Sequence, residues 1–237
     1  MSRFDMIAFD ADDTLWHTER LYVDAQARFT QLLARYHSAE WVQARLDETE
    51  AHNIIHFGYG IKAFALSMIE TAVELTEGRI TGRDIQILID TAKAMLTAEV
   101  ALLNTVAETI PRLAERYPLM VITKGDLLDQ ETKINRSGLG QYFQRIEIVS
   151  HKNRASYEHV LNEQRLAPQR LLMVGNSLKS DILPVLEIGG HAVYVPYEIT
   201  WQHEYAAPPP DEQPRYYKIE RLAELPALLE RLEHAAP

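Results

Sequence analysis

The chain has 237 residues, of which 46% are hydrophobic and 24% charged, and it contains no cysteine. This composition is typical of a globular protein, and the absence of cysteine excludes disulfides, thiol nucleophiles and metal sites built on thiolates. The chain has 24 Lys and Arg against 34 Asp and Glu, which gives a formal charge of −10. A chain this acidic lacks the basic surface expected of a protein that binds nucleic acid or anionic membranes.

We expect no apolar leader segment, because an acidic residue, Asp5, already stands at the fifth position of the sequence. Charge-free runs such as Ile188–Tyr197 are much shorter than the ~18–20 apolar residues that a membrane-spanning helix needs. We therefore expect a cytoplasmic protein with no membrane span and no nucleic-acid partner.

A buried strand is predicted at the start of the chain. Phe4–Phe9 is a short apolar run that ends abruptly in the acidic sequence Asp10-Ala11-Asp12-Asp13, so the strand would present carboxylates at its C-terminal end. From Thr18 to about Thr97 the pattern changes to apolar side chains at helical spacing, with glycines between the segments. This stretch predicts a block of about four helices, the last of them reaching Leu103.

After Pro111, strands and helices alternate. The predicted strands are Leu119–Thr123, Arg145–Val149, Leu171–Val174 and Ala192–Val195, and the predicted helices are Asp126–Arg136, Ser156–Leu166 and Asp181–Ile188. A short strand and a helix in Tyr216–Leu232 close the chain. Such alternation over short loops predicts an α/β fold with a parallel sheet covered on both faces, interrupted after its first strand by a helical insertion.

Polar side chains follow four of the predicted strands, at the edge where an open parallel sheet binds ligands. They are Asp10, Asp12 and Asp13 after the first strand, Thr123 and Lys124 at the second, His151 and Lys152 after the third, and Asn176, Ser177 and Asp181 after the fourth. Carboxylates hold hard cations, while lysine and threonine bind phosphoryl oxygens. The set predicts a magnesium-assisted phosphoryl-transfer site.

The ordered set Asp10-Ala11-Asp12-Asp13-Thr14-Leu15, Thr123, Lys152 and Gly175-Asn176-Ser177-x-x-x-Asp181 resembles the four motifs of the haloacid dehalogenase superfamily. It is most similar to members with a helical cap inserted between the first and second motifs. The resemblance covers the whole chain. It implies a Rossmann-like core domain in residues 1–15 and 100–237 and a helical cap domain in residues 16–99.

The resemblance also implies an activity, namely a Mg²⁺-dependent phosphatase that hydrolyses a small-molecule phosphate ester through an aspartyl-phosphate intermediate. Asp10 matches the family nucleophile, and Asp12 matches the general acid/base that protonates the leaving alkoxide and then activates water. Thr123 and Lys152 match the residues that bind the phosphoryl group. Asp10, Asp12 through its backbone carbonyl, Asn176 and Asp181 are the metal ligands that the resemblance implies.

Two rival residues and two departures from the family pattern qualify this assignment. Lys124 and Arg154 are alternatives to Lys152, although the family spacing favours Lys152. Asn153 stands where the family often has proline after this lysine. Asn176 stands where the family usually has aspartate, and since ligand charge tunes the affinity for hard cations, we expect weaker magnesium binding.

The predicted cap offers a glycine-flanked segment that could contact the substrate. His56-Phe57-Gly58-Tyr59-Gly60-Ile61-Lys62 combines backbone freedom with polar side chains, and Tyr59 and Lys62 are its candidate substrate-binding residues. The alternative is that Tyr59 simply packs between helices.

Other functions remain open at the level of the sequence. A haloacid dehalogenase is disfavoured by Asp12, because family members that release halide lack this second acid. A phosphomutase and a non-catalytic regulatory protein on the same fold are the further alternatives.

Overall fold

The computed structural model describes residues 2–210 and 212–234. The chain divides into two compact units. The first comprises the chain up to His17, Val100–Lys124 and the chain from Gln130 onward, and the second comprises Thr18–Glu99 and Gly125–Asp129. Within the described ranges, no helix is both long and apolar enough to cross a membrane.

A single six-stranded sheet organises the first unit. Its strands are β1 (Met6–Phe9), β2 (Leu119–Lys124), β3 (Arg145–Val149), β4 (Leu171–Gly175), β5 (His191–Tyr194) and β6 (Tyr216–Lys218). They lie in the order β3-β2-β1-β4-β5-β6, and every neighbouring pair is parallel. The predicted α/β fold with a parallel sheet is therefore confirmed. Because β2 and β4 flank β1, the strand order reverses at β1, where ligands bind in sheets of this kind.

Helices account for most of the remaining structure. They are α1 (Glu19–Leu33), α2 (Ala39–Phe57), α3 (Ile61–Leu75), α4 (Gly82–Thr97), α5 (Val106–Ala114), α6 (Leu127–Arg136), α7 (Arg154–Gln164), α8 (Leu183–Glu187) and α9 (Leu225–His234).

The central strands are buried on both faces, so their alternate residues belong to two different cores. Ile7 and Phe9 of β1 pack in the cluster that includes Ile110 of α5, whereas Ala8 between them packs in the cluster that includes Tyr157 of α7. The same alternation holds in β2, β4 and β5. Helices on both faces therefore hold the strands in register and fix where each strand ends.

The second unit contains α1 to α4 around a core of its own, in which Phe29, Leu46 and Met68 are buried. Its helices begin at capping residues. Ser38 accepts a hydrogen bond from the backbone of α2, and Thr81 and Asp84 form a reciprocal capping box at the start of α4. The block of about four helices predicted from the apolar spacing is thus present.

Three local predictions were wrong. The fourth helix ends at Thr97 rather than Leu103. Residues 106–114 form α5 with Pro111 inside it, although the sequence analysis placed no helix there. The helix predicted over 181–188 is divided: a π-helical turn covers Leu178–Ile182, where the N–H groups of Asp181 and Ile182 both donate to the Ser177 carbonyl, and α8 follows it.

Candidate active site

A buried lysine lies between two carboxylates beyond the C-terminal ends of the strands. Lys152, which follows β3, donates from Nζ to Oδ1 of Asp10 and, over 2.7 Å, to Oδ1 of Asp181. The side chains of Lys152 and Asp181 are each 1% exposed and that of Asp10 is 10% exposed. Two buried carboxylates therefore share one ammonium, which leaves one negative charge of this trio uncompensated.

This arrangement shifts the pKa values of Asp10 and Lys152. Burial raises the pKa of Asp10 to about 7; the ammonium of Lys152 opposes this shift and the Asp181 carboxylate adds to it. Burial alone would lower the pKa of Lys152, but the two carboxylates outweigh burial and raise it above its ordinary value. Lys152 is therefore charged throughout the physiological pH range.

Thr14 connects the first and fourth strand ends. Its hydroxyl oxygen lies 2.9 Å from Oδ2 of Asp10 and 3.2 Å from Oδ1 of Asn176, and it accepts a hydrogen bond from the Asn176 backbone N–H. A hydroxyl has one proton, so it can donate to only one of these two oxygens at a time. The Thr14 hydroxyl thus leaves one of these two acceptor oxygens without its proton, and a cation could satisfy that oxygen.

The turn after β4 requires glycine at its start. A Cβ atom at Gly175 would overlap the carboxylate of Asp181, so only glycine lets this side chain lie against the strand end. The second oxygen of Asp181 accepts the backbone N–H of Ser177 over 3.0 Å. Asp181 is consequently held on both oxygens.

Asn153, which stands where the family often has proline, caps α7, the helix that follows Lys152. Asn153 has a φ of −138°; its side chain accepts the N–H of Ser156, and its own backbone N–H donates to the Ser156 hydroxyl. Proline could not adopt that φ. A helix cap therefore fixes the backbone beside Lys152, in place of a proline.

The Asp12 carboxylate accepts hydrogen bonds from nitrogen donors on three residues outside the lysine-centred trio. Lys133 on α6 contacts both oxygens, at 2.7 and 2.9 Å, while Gln130 Nε2 and Trp16 Nε1 each donate over 2.8 Å. These donors hold the side chain in the orientation that the structure shows.

The rivals of Lys152 have other partners. Lys124 pairs with Glu204 and with Ser180. Arg154, whose side chain is 55% exposed, pairs with Glu158 and Glu187 at the surface. The geometry thus favours Lys152 for a role beside Asp10. Thr123 is buried near the end of β2, next to β1.

The two cap candidates belong to the second unit. Lys62 forms an ion pair of 2.8 Å with Asp126, within that unit. Tyr59 lies between Gly58 and Gly60, both of which have positive φ, and a Cβ atom at Gly60 would lie 3.2 Å from the backbone nitrogen of Asp126.

A metal ion at this site would need ligands besides the carboxylates of the trio. The part of the chain that the structure describes has no group of three or more His, Asp or Glu side chains arranged to hold a metal. The ammonium of Lys152 lies between the carboxylates of Asp10 and Asp181. These two carboxylates alone therefore do not form a metal site. Oδ2 of Asp10 and the amide oxygen of Asn176, both within 3.2 Å of the Thr14 hydroxyl, are oxygen ligands of the kind that a hard cation prefers, so these residues fit such an ion.

Sequence reasoning missed Lys133, Gln130 and Glu204. Lys133 and Gln130 are three residues apart on α6 and therefore share a face of that helix, a signal that could have been read once the helix was predicted. Glu204 carried no such signal, because it lies in a short turn beyond β5.

Comparisons with known proteins agree with the geometry. The family model of haloacid dehalogenase-like hydrolases matches residues 4–189. A haloacid dehalogenase-like family hydrolase from Xanthomonas campestris is 40% identical, with a TM-score of 0.87 over 98% of this chain and 93% of that chain. N-acylneuraminate-9-phosphatase from Mus musculus is 24% identical over 98% of this chain and 96% of its own length. A hydrolase from Bacillus subtilis solved with bound magnesium shares the fold, with a TM-score of 0.68 and 17% identity over 97% of this chain and all of that chain.

Proposed function

Because the chain belongs to the haloacid dehalogenase-like hydrolase family, we propose that it is a magnesium-dependent phosphatase that cleaves a small phosphate monoester through an aspartyl-phosphate on Asp10. The observation that carries the proposal is the buried Lys152 ammonium shared by Asp10 and Asp181. Phosphatases among the relatives support the choice of a phosphate ester as substrate.

In the first step, an oxygen of Asp10 attacks phosphorus, and the bond from phosphorus to the ester oxygen breaks. The leaving alkoxide takes a proton from Asp12, while Lys152 and Thr123 hold the phosphoryl oxygens. In the second step, water attacks phosphorus and gives its proton to Asp12, which releases inorganic phosphate and restores the Asp10 carboxylate. Splitting the hydrolysis into two displacements lowers each barrier.

Asp10, Asn176, Asp181 and the backbone carbonyl of Asp12 would hold the magnesium ion. When bound, the ion supplies positive charge that offsets the negative charge of the trio and of the phosphate. The residues of the chain then supply the nucleophile, orient the ester and move protons.

The presence of Asp12, a candidate general acid/base, favours a phosphatase over a dehalogenase. To act as an acid or base, its carboxylate must give up at least one of the nitrogen donors on Lys133, Gln130 and Trp16. A dehalogenase has no need of such a group, because halide leaves without a proton. We therefore favour a phosphatase over a dehalogenase, and no residue in the chain specifically favours a phosphomutase.

The proposed function is tested by a panel of phosphate monoesters assayed with Mg²⁺ and with EDTA. The panel should contain sugar phosphates, nucleotides, an aryl phosphate and, because of the mouse relative, a sialic acid 9-phosphate. We expect Mg²⁺-dependent release of phosphate from at least one ester. Release of halide from a 2-haloacid without Mg²⁺ would indicate the dehalogenase, and no turnover of either class would favour a non-catalytic protein.

Replacing Asn176 by aspartate should tighten Mg²⁺ binding, because it puts a carboxylate in place of the amide oxygen that contacts the Thr14 hydroxyl together with Asp10. We expect the apparent dissociation constant to fall by about tenfold, equivalent to ~1.4 kcal/mol. Calorimetric titration of both proteins with Mg²⁺ measures the change without relying on turnover. An unchanged or weaker affinity in the variant would show that position 176 does not face the ion.

The proposed substrate role of Lys62 and Tyr59 has a matched control in Asp126. Lys62→Ala and Tyr59→Phe should raise KM for the preferred ester more than they lower kcat for a minimal aryl phosphate. If Lys62 acts only through its ion pair, Asp126→Asn will reproduce the effect of Lys62→Ala. Equal effects of these two variants on every ester in the panel would refute a substrate contact by Lys62.

A further inference from the structure

Beyond the residues that the proposed reaction uses, side chains from the end of β2 and from the turns after β4 and β5 meet at one carboxylate. Glu204 lies in a short 3₁₀ turn, Gln202–Glu204, that follows β5. Its carboxylate accepts hydrogen bonds from the hydroxyls of Ser177 and Ser180, in the turn after β4, and from the ammonium of Lys124 at the end of β2. None of these four residues has a role in the reaction described above.

The four side chains form a closed and largely buried network. The distance from Ser180 Oγ to Glu204 Oε2 is 2.5 Å, and the distance from Lys124 Nζ to Ser180 Oγ is 3.0 Å. The side chains of Lys124 and Glu204 are 17% and 13% exposed. Burial would raise the pKa of Glu204, but Lys124 and the two serine hydroxyls outweigh burial and hold it below its ordinary value.

Each partner of Glu204 is adjacent in sequence to a residue of the candidate site. Lys124 follows Thr123, Ser177 follows Asn176, and Ser180 precedes Asp181. The backbone N–H of Ser177 also holds one oxygen of Asp181, whose other oxygen contacts Lys152. A shift of the turn after β4 relative to β2 would therefore move Asp181 and disturb the charged trio.

Stability alone does not account for a buried ion pair at this place. Replacing such pairs by uncharged groups of similar size is often neutral or stabilising, because desolvation offsets the Coulomb attraction. We propose that Lys124 and Glu204 are positioning residues that fix the turn carrying Asn176 and Asp181 against the strand end carrying Thr123. This proposal rests on the proposed function, since the geometry that it protects is that of the phosphoryl site.

Two variants separate positioning from stability. Glu204→Gln keeps an acceptor for the serines but leaves Lys124 without its counter-charge, so it should lower both the unfolding midpoint and kcat. The double variant Lys124→Met/Glu204→Gln removes both charges and should recover the unfolding midpoint. It has also lost the link from β2 to the turn, so kcat should remain about 10- to 100-fold below the wild type with little change in KM. Glu212→Gln, at an exposed position, is the matched control.

Hydrogen exchange gives a readout that does not depend on turnover. Amides of residues 176–182 should exchange at least about tenfold faster in both variants than in the wild type and in the control, while those of α7 stay unchanged. The proposal would be overturned if residues 176–182 exchanged in the variants at the same rate as in the wild type. It would also be overturned if the kcat of the double variant recovered together with its unfolding midpoint. A wild-type protein that releases no phosphate from any ester would instead refute the proposed function, and the exchange result would still decide whether the pair positions the turn.

Discussion

Replacing Asp10 by asparagine is expected to lower the rate of phosphate release by at least about a thousandfold, because an amide oxygen cannot form the aspartyl-phosphate. The fold should persist, since asparagine fills the same space and Asp181 still neutralises Lys152. We therefore expect the unfolding midpoint of the variant to stay close to that of the wild type. Phosphate release and thermal unfolding, measured on the same preparation, test both statements.

Asp13 provides the matched control for this substitution. It lies three residues further along, and its φ of 61° is one that asparagine also tolerates. Asp13→Asn makes the same chemical change outside the trio and should leave the rate within about twofold of the wild type. If Asp10→Asn retained more than a trace of activity, or if both variants lost the same fraction, Asp10 would not be the nucleophile.

Replacing Lys152 by methionine should have the largest combined effect on activity and stability. Its removal leaves two buried carboxylates without their shared cation, and breaking a buried pair in this way costs about 3–5 kcal/mol of unfolding free energy. Turnover should fall at least about a thousandfold, because the phosphoryl group loses its lysine ligand as well. Urea unfolding in EDTA measures the stability change without a metal ion that could compensate the charge.

Arg154→Met is the control for Lys152→Met and also tests the rival assignment. Arg154 forms exposed ion pairs, which contribute about 0–1 kcal/mol each, so its loss should change stability and turnover only slightly. A variant at Arg154 that loses turnover while Lys152→Met retains it would reverse the assignment of the phosphate-binding cation.

The fold was predictable where the sequence pattern is strong. Three apolar runs correspond to β1, β2 and β4, and the alternating run Arg145–Val149 corresponds to β3. Each is followed by polar residues, and their parallel pairing is what the helices between them predict. Helix α5 was missed because Pro111, which usually marks a helix boundary, lies inside it. The π-helical turn was missed because it depends on the Ser177 carbonyl accepting two N–H groups, and no periodicity encodes that.

The candidate site was predictable only in part, because some of its contacts join residues that are far apart in the sequence. The motifs locate Asp10, Lys152 and Asp181 in the chain, and the parallel sheet brings their strand ends to one edge. The shared helix face of Gln130 and Lys133 could be predicted, but the pairing of Lys133 with Asp12 and of Glu204 with Lys124 could not. Lys133 is 121 residues from Asp12, and Glu204 is 80 residues from Lys124, so these contacts exist only after the helices and loops have packed.

The most direct test of the account is to trap the phosphorylated enzyme and locate the modified residue. Asp12→Asn should slow the attack of water on the intermediate, and acetyl phosphate, which has a good leaving group, makes its formation independent of a general acid. Borohydride reduction of the acyl phosphate followed by peptide mass spectrometry then identifies the residue as homoserine. We predict homoserine at position 10 and at no other aspartate; modification of a different residue, or turnover with no trapped adduct at position 10, would contradict the account.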